Sequence, residues 1–304
     1  MIEKLAFVFP GQGSQFVGML AELAREFPIV EKTFIEASQT LQYDLWQLTQ
    51  QGPEEQLNLT KNTQLALLAS EIAMWRIWQS RNGTKPLFLA GHSLGEYSAL
   101  VCADAINYRD AIKLVAERSR LMQQAVPTGQ GGMVAIIGLS KDKIDTICQK
   151  AAKSKVLAVA NYNSIGQTVL SGHIETVRRT IEVAKTAGAK VAKLLKVSIP
   201  AHCELMKPAA EELAKSLNKI NIVKPKIPVV NNVDVKCYKN ADDIRDGLVR
   251  QLYNPVRWVE TIQFLHQQNI DYLIEYGPGK VLAGLNKRIV NDLPTIKFED
   301  LLRG

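Results

Sequence analysis

The sequence predicts an α/β protein in which a mostly parallel sheet, covered by helices, is interrupted by a smaller βαββαβ unit. Two patterns carry this expectation. Short apolar runs alternate with stretches of helical periodicity along most of the chain, the order that threads parallel strands between covering helices. Between residues 128 and 197 the order becomes strand, helix, strand, strand, helix, strand, and the alternation of strand and helix then resumes. With 304 residues, 46% hydrophobic and 22% charged, the chain can bury a sizeable core, so disordered and fibrous classes are excluded.

The first element is Leu5–Phe9, an unbroken apolar run expected to be a buried strand and followed by a glycine turn. The stretch 1–10 reads as strand-like and apolar, without a basic n-region, cleavage site or arginine-rich pattern, so no targeting leader is expected. Leu65, Leu68, Ile72 and Trp75 recur at helical spacing until Asn82-Gly83 ends that helix. Residues 86–90 read as the next strand, again running into a glycine turn and a helix, and 108–125 as a long amphipathic helix. Thr128-Gly129-Gln130-Gly131-Gly132 is expected to be a flexible break. After it come strand 133–137, helix 140–153, strands 156–160 and 168–171, helix 175–186 and strand 190–197, the ferredoxin-like order. The α/β pattern returns with strand 228–231, a helix after Pro255 and strand 272–275 before Gly277-Pro278-Gly279. The predicted division is therefore 1–127 with 198–304 as the large domain, and 128–197 as the inserted subdomain.

Lys and Arg total 37 against 30 Asp and Glu, a net charge of +7. That balance fits a solvated basic surface, or an acidic protein partner or phosphate-bearing ligand. The basic residues are spread out, with no RNP or zinc-finger pattern, so no nucleic-acid partner is expected. No apolar stretch approaches the ~20 residues of a membrane span, so no membrane partner is expected and a cytoplasmic location is. Cys102, Cys148, Cys203 and Cys237 show no CxxC spacing, and the histidines show no HExxH; reduced thiols and no metal are expected.

Gly91-His92-Ser93-Leu94-Gly95 matches G-x-S-x-G, a sharp strand-to-helix turn that exposes a serine hydroxyl. An apolar strand precedes it and a helical stretch follows, so Ser93 is the candidate nucleophile. The competing reading is a glycine turn with a serine N-cap. Glu96 is expected to complement the N-terminus of the following helix. A serine needs a base. In a tight elbow His92 points away from the nucleophile's target, His173 reads as a surface turn, and His266 lies on a polar helical stretch. Elimination favours His202, after Val197-Ser198-Ile199-Pro200, over a hydrogen-bonded core histidine. No acidic residue announces itself as a third member, so a Ser–His dyad oriented by a backbone carbonyl is open.

Gly11-Gln12-Gly13-Ser14-Gln15 fails as a dinucleotide fingerprint because Phe16 stands at the third glycine position, and it lacks a P-loop ending. It can instead present backbone N–H groups to an oxyanion, the N–H of Gln12 pairing with that of Leu94. Arg118 is an anomaly: it lies in the apolar stripe formed by Ala111, Leu114, Val115, Met122 and Ala125. An inward guanidinium needs an anion, so a structural ion pair and a forked clamp for a substrate carboxylate both remain open.

These residues together resemble the acyltransferase family of fatty acid and polyketide synthesis. The resemblance is carried by Phe9-Pro10-Gly11-Gln12-Gly13-Ser14-Gln15, Gly91-His92-Ser93-Leu94-Gly95-Glu96 and Glu117-Arg118-Ser119. It continues through His202-Cys203-Glu204-Leu205-Met206, Gln251-Leu252-Tyr253-Asn254-Pro255-Val256-Arg257-Trp258 and Glu275-Tyr276-Gly277-Pro278-Gly279. It implies an α/β-hydrolase-like large domain with a ferredoxin-like insertion. It further implies Ser93 as nucleophile and His202 as base. Arg118, Gln12, Leu94 and Gln251 form the substrate-binding set: Arg118 on a malonyl carboxylate, the Gln12 and Leu94 amides as oxyanion hole, the Gln251 main-chain carbonyl orienting His202. The activity implied is transfer of malonyl from malonyl-CoA to the phosphopantetheine thiol of acyl carrier protein for fatty acid biosynthesis, with no metal or redox cofactor. A stand-alone polyketide acyltransferase and a serine acyl hydrolase or thioesterase are the alternatives, and a monomer is expected. Two positions depart from the family pattern. Ala201 stands where relatives often carry serine or phenylalanine near the acyl pocket, and Ile165 where proline is common after Asn-Ser.

Overall fold

The computed structural model describes residues 4–197 and 199–303. The first residues of the apolar run that begins at Met1, and Ser198, where the second stretch of the large domain was expected to start, lie outside the described residues. The strands are β1 (Leu5–Phe9), β2 (Phe88–Gly91), β3 (Gly131–Ile137), β4 (Leu157–Ser164), β5 (Gln167–His173), β6 (Val191–Leu194), β7 (Val229–Val230), β8 (Tyr272–Glu275) and β9 (Thr295–Lys297).

The larger sheet runs β7-β2-β1-β8-β9, parallel throughout. Alternation along β1 explains why its sequence is apolar without a break. Leu5, Phe7 and Phe9 belong to the core on one face, with Trp75 and Tyr276, while Ala6 and Val8 belong to the core on the other, with Trp258, Ile262 and Leu265. Both faces are covered, so neither parity of the strand can be polar. Register pairs Phe9 with Gly91, so the glycine turns after β1 and β2 leave the same edge side by side. Ligand sites of parallel α/β sheets gather at that edge.

The smaller sheet runs β4-β5-β3-β6, antiparallel throughout, with helices Lys141–Ala152 and Ile174–Thr186 on one face. This is the βαββαβ order expected from sequence. Val134, Ile136 and Leu170 pack under those helices, whereas Met133, Ala160 and Val169 face the other way. That second face roofs the edge of the large sheet from which the glycine turns emerge.

Several boundaries differ from expectation. The break expected at 128–132 ends early: Gly131 and Gly132 are already paired in β3, and a Cβ on Gly131 would sit 2.4 Å from the Pro200 ring. These glycines serve close packing as well as turning. The strand expected over 190–197 closes at Leu194, although the Leu195 N–H still donates to Met133 O at 2.9 Å. The helices of the stretch 21–57, and helix Ala241–Gln251, had no counterpart in the sequence reading.

Candidate active site

The elbow follows β2 directly and enters helix Gly95–Cys102. Ser93 takes a positive φ of 53°, the strained conformation such a turn requires. The flanking glycines are enforced by contact: a Cβ on Gly91 would lie 1.8 Å from Gly95 C, and one on Gly95 would lie 2.1 Å from Phe9 O. Asn232, just after β7, clamps the turn. Its Oδ1 accepts from Ser93 N at 2.7 Å and its Nδ2 donates to Gly91 O at 2.6 Å. The Ser93 amide is thereby occupied. The Leu94 and Gln12 amides donate to no acceptor among the described residues, and both residues line the cavity above the serine.

Ser93 Oγ lies 2.8 Å from His202 Nε2, and His202 Nδ1 lies 2.8 Å from the Gln251 main-chain O. A carbonyl can only accept, so Nδ1 carries the proton and Nε2 presents its lone pair to the serine hydroxyl. The orientation that an acid would supply comes from the backbone of helix Ala241–Gln251. Burial, and then the Arg118 charge, push the His202 imidazole down to about 3, so it is neutral in the resting site.

Arg118 projects from helix Tyr108–Gln124 and is 1% exposed. Nη1 donates to Gln64 Oε1 at 2.7 Å, while Nη2 donates to Gln251 Oε1 at 3.0 Å and to Ser93 Oγ at 3.1 Å. Its guanidinium lies over the Tyr97 ring, 5.3 Å from the centroid, and its Nε has no partner. Among the described residues no carboxylate pairs with it. Of the two readings the sequence left open, the structural ion pair has no acid to form it.

The cavity, of about 170 Å³, is lined by Gln12, Gln64, His92, Ser93, Leu94, Arg118 and His202 below, and by Met133, Asn161, Asn163, Val169 and Leu195 above. Ala201 lies on its wall. Five of the six sequence-predicted site residues therefore line this cavity, and the sixth takes the His202-orienting position that the resemblance implied. Gln251, grouped with the substrate-binding residues, is fully buried and lies behind the lining. It holds His202 through its backbone and Arg118 through its side chain. His92 also departs from expectation: its ring does line the cavity, with Nε2 2.8 Å from Asn163 Oδ1. His173 Nδ1 instead accepts from Val156 N at 3.1 Å, and His266 stands 3.6 Å from Asp292.

Glu96 stands in the first turn of its helix, where its charge was expected to complement the N-terminus, but it does more than that. It is buried and accepts from Tyr238 Oη, from Asn232 N at 3.0 Å and from Gln251 Nε2 at 3.0 Å. Burial pushes its carboxyl up to about 6 against those hydrogen bonds. Gln64, Asn161, Asn163 and Asn232 were missed in the sequence. Gln64 carried the same signal as Arg118, a polar residue on an apolar helical stretch, and Asn232 follows the apolar run of β7. Among the described residues no group of three or more His, Cys, Asp or Glu could hold a metal ion, and no helix is long and apolar enough to cross a membrane.

Comparison with known proteins agrees with this geometry. The acyl transferase domain model matches residues 6–294. A malonyl CoA-acyl carrier protein transacylase of Salmonella typhimurium is 58% identical over 290 residues, covering 95% of this chain and 94% of that protein. The structure of the corresponding transacylase of Coxiella burnetii superposes with a TM-score of 0.97 at 51% identity, covering 99% of this chain and 96% of the other. A malonyl-transacylase solved in complex with a type II PKS acyl-carrier protein gives a TM-score of 0.96 at 56% identity, over 97% and 96% of the two chains. A strained serine, a carbonyl-oriented histidine, a buried arginine lacking an acid and near-complete likeness along the chain lead to one conclusion: the chain belongs to the malonyl CoA-acyl carrier protein transacylase family.

Proposed function

We propose that the protein moves a malonyl group from malonyl-CoA to the phosphopantetheine thiol of an acyl carrier protein, through an ester on Ser93, supplying extender units for fatty acid biosynthesis. The observation that carries this reading is Arg118, a buried cation without a carboxylate partner, 3.1 Å from the nucleophile. Burying an unpaired guanidinium is costly. A dicarboxylate half-ester offers the missing anion.

In the first half-reaction Ser93 Oγ attacks the thioester carbon while its proton passes to His202 Nε2. The oxyanion faces the Gln12 and Leu94 amides. As the C–S bond breaks, His202 returns the proton to the departing thiolate. The second half-reaction reverses these steps with the carrier thiol as attacking group. Arg118 holds the malonyl carboxylate by its planar fork. Pairing Arg118 with that anion also offsets the charge that depresses His202, so a malonyl group strengthens the base that acts on it.

A hydrolase reading is not favoured, because hydrolysis needs no clamp for a charged acyl group and a transferase must keep water from the ester. The +7 balance suits an acidic carrier protein in the cytoplasm, and the protein is read as acting as a monomer. Residues 1–127 with 198–304 would form the catalytic body and 128–197 the roofing subdomain. The test is intact mass after brief exposure to mixed malonyl- and acetyl-CoA. A single malonyl adduct that persists until a thiol acceptor is added is expected. Steady release of free malonate without an adduct would overturn the reading.

A further inference from the structure

Gln251 joins Ser93, His202 and Arg118, and which way its amide faces decides what Arg118 meets. The two ends of an amide are nearly isosteric, so neighbours choose the orientation. Here Nε2 donates to two acceptors, Ser93 O at 3.0 Å and Glu96 Oε2 at 3.0 Å, which leaves Oε1 to accept from Arg118 at 3.0 Å. With the amide turned round, its N–H groups would face the guanidinium N–H groups, donor against donor. Glu96 stands in the first turn of the helix that follows the elbow, three residues past the nucleophile, and its other oxygen is held by Tyr238 Oη.

We infer that Glu96 is a positioning residue for acyl-group selection: its carboxylate holds the Gln251 amide so that the carbonyl faces Arg118, and so aims the guanidinium at the acyl carboxylate. This rests on the reading of Arg118 as the malonyl clamp. Glu96 touches neither substrate nor the reacting atoms; it acts through Gln251. Its carboxylate stands one amide away from Arg118 in this hydrogen-bond chain and forms no ion pair with the fork.

The experiment measures kcat/KM for malonyl-CoA and acetyl-CoA, with a thermal melt, in Glu96→Ala, Glu96→Gln and Arg118→Ala. General damage to the elbow lowers both thioesters alike, whereas a misaimed guanidinium lowers malonyl alone. In Glu96→Ala the malonyl-to-acetyl ratio is expected to fall at least about fivefold, the range of coupling within one hydrogen-bonded network. Glu96→Gln, which can offer its own carbonyl to Gln251 and Asn232, should keep the ratio within about threefold of wild type. If Glu96→Ala does not fold, Glu96→Asp, which withdraws the carboxylate by one methylene, replaces it with the same expectation. An unchanged ratio at position 96 with a collapsed ratio in Arg118→Ala overturns this inference alone. An unchanged ratio in both overturns the clamp as well. A loss in Glu96→Gln equal to that in Glu96→Ala assigns the effect to charge and overturns the orienting role.

Discussion

The floor and the roof of the cavity are built on different principles. The floor is polar and tightly bonded: Ser93, His202 and Arg118 in its lining, with Gln251, Asn232 and Glu96 behind them, form one hydrogen-bond network, much of it fully buried. The roof is mostly a surface of shape, with Met133, Val169 and Leu195 from the small sheet and only the Asn161 and Asn163 amides for direction. A bonded network has few alternative arrangements, so each member should be sensitive. A packed apolar surface deforms, so its members should be forgiving.

The sharpest way to break that contrast lies at the nucleophile. Ser93→Ala should abolish acyl transfer with the fold retained, and a malonyl adduct on the variant by intact mass would refute the assignment. Next in size is His202→Ala, expected to slow both half-reactions by ~10²–10⁴-fold in stopped-flow acylation and deacylation. Rates within a few-fold of wild type would move the base elsewhere, and His92, on the same cavity, would be examined next.

Arg118→Ala should lower the malonyl-to-acetyl ratio of kcat/KM by at least about tenfold, since charge-assisted hydrogen bonds contribute ~1.5–3 kcal/mol each. Acetyl transfer should persist, and an equal loss for both thioesters would make the arginine a structural post. The same variant removes the second cause of the depressed His202 imidazole. In the wild-type protein, histidine nitrogen shifts followed by NMR should show no titration of His202 between pH 8 and 5, because it is held at about 3. The ordinary value is 6.5, so the unfolded chain takes up a proton that the folded one refuses. Stability linked to His202 is therefore present above pH 6.5 and lost as pH falls toward 3. Titration of His202 near 6.5 in the folded protein would contradict its burial. The smallest effect is expected in the roof. Val169→Ala should raise KM by no more than about tenfold, the burial of up to two methylenes, with the malonyl-to-acetyl ratio unchanged. A selectivity change there would erase the distinction between the two surfaces.

How much of each region could be read from sequence follows from the same contrast. β1 was legible because five consecutive apolar residues reflect a strand covered on both faces. The elbow was legible because its glycines are excluded from carrying a Cβ by neighbours within a few residues or on the adjoining strand. Arg118 was legible as a charge on an apolar stripe. Glu96 was not, because its partners Asn232, Tyr238 and Gln251 lie 136, 142 and 155 residues away and no local pattern reports such distances. Gln251 was legible only through its backbone role, since an amide's orientation depends on groups brought together by the fold. The glycines at 131 and 132 misled for a related reason: the use of Gly132 is set by Ile174, at the start of a helix 42 residues on, and that of Gly131 by Pro200, on the returning segment.

That last contact has a consequence for how such proteins can be rebuilt. Gly131, at the start of β3, and Pro200, after β6, stand so nearly at one point that a single methyl group would not fit between them. A segment whose two ends meet behaves as a cassette. Closing a loop costs only ~0.6 kcal/mol more for each doubling of its length, so what ties this segment down is not its closure but its bonds to the host, among them Tyr162 N to Val256 O at 3.0 Å and Val256 N to Ala160 O at 2.9 Å. A rebuilt roof that keeps those two bonds to Val256 is the one expected to leave the chemistry beneath it in place.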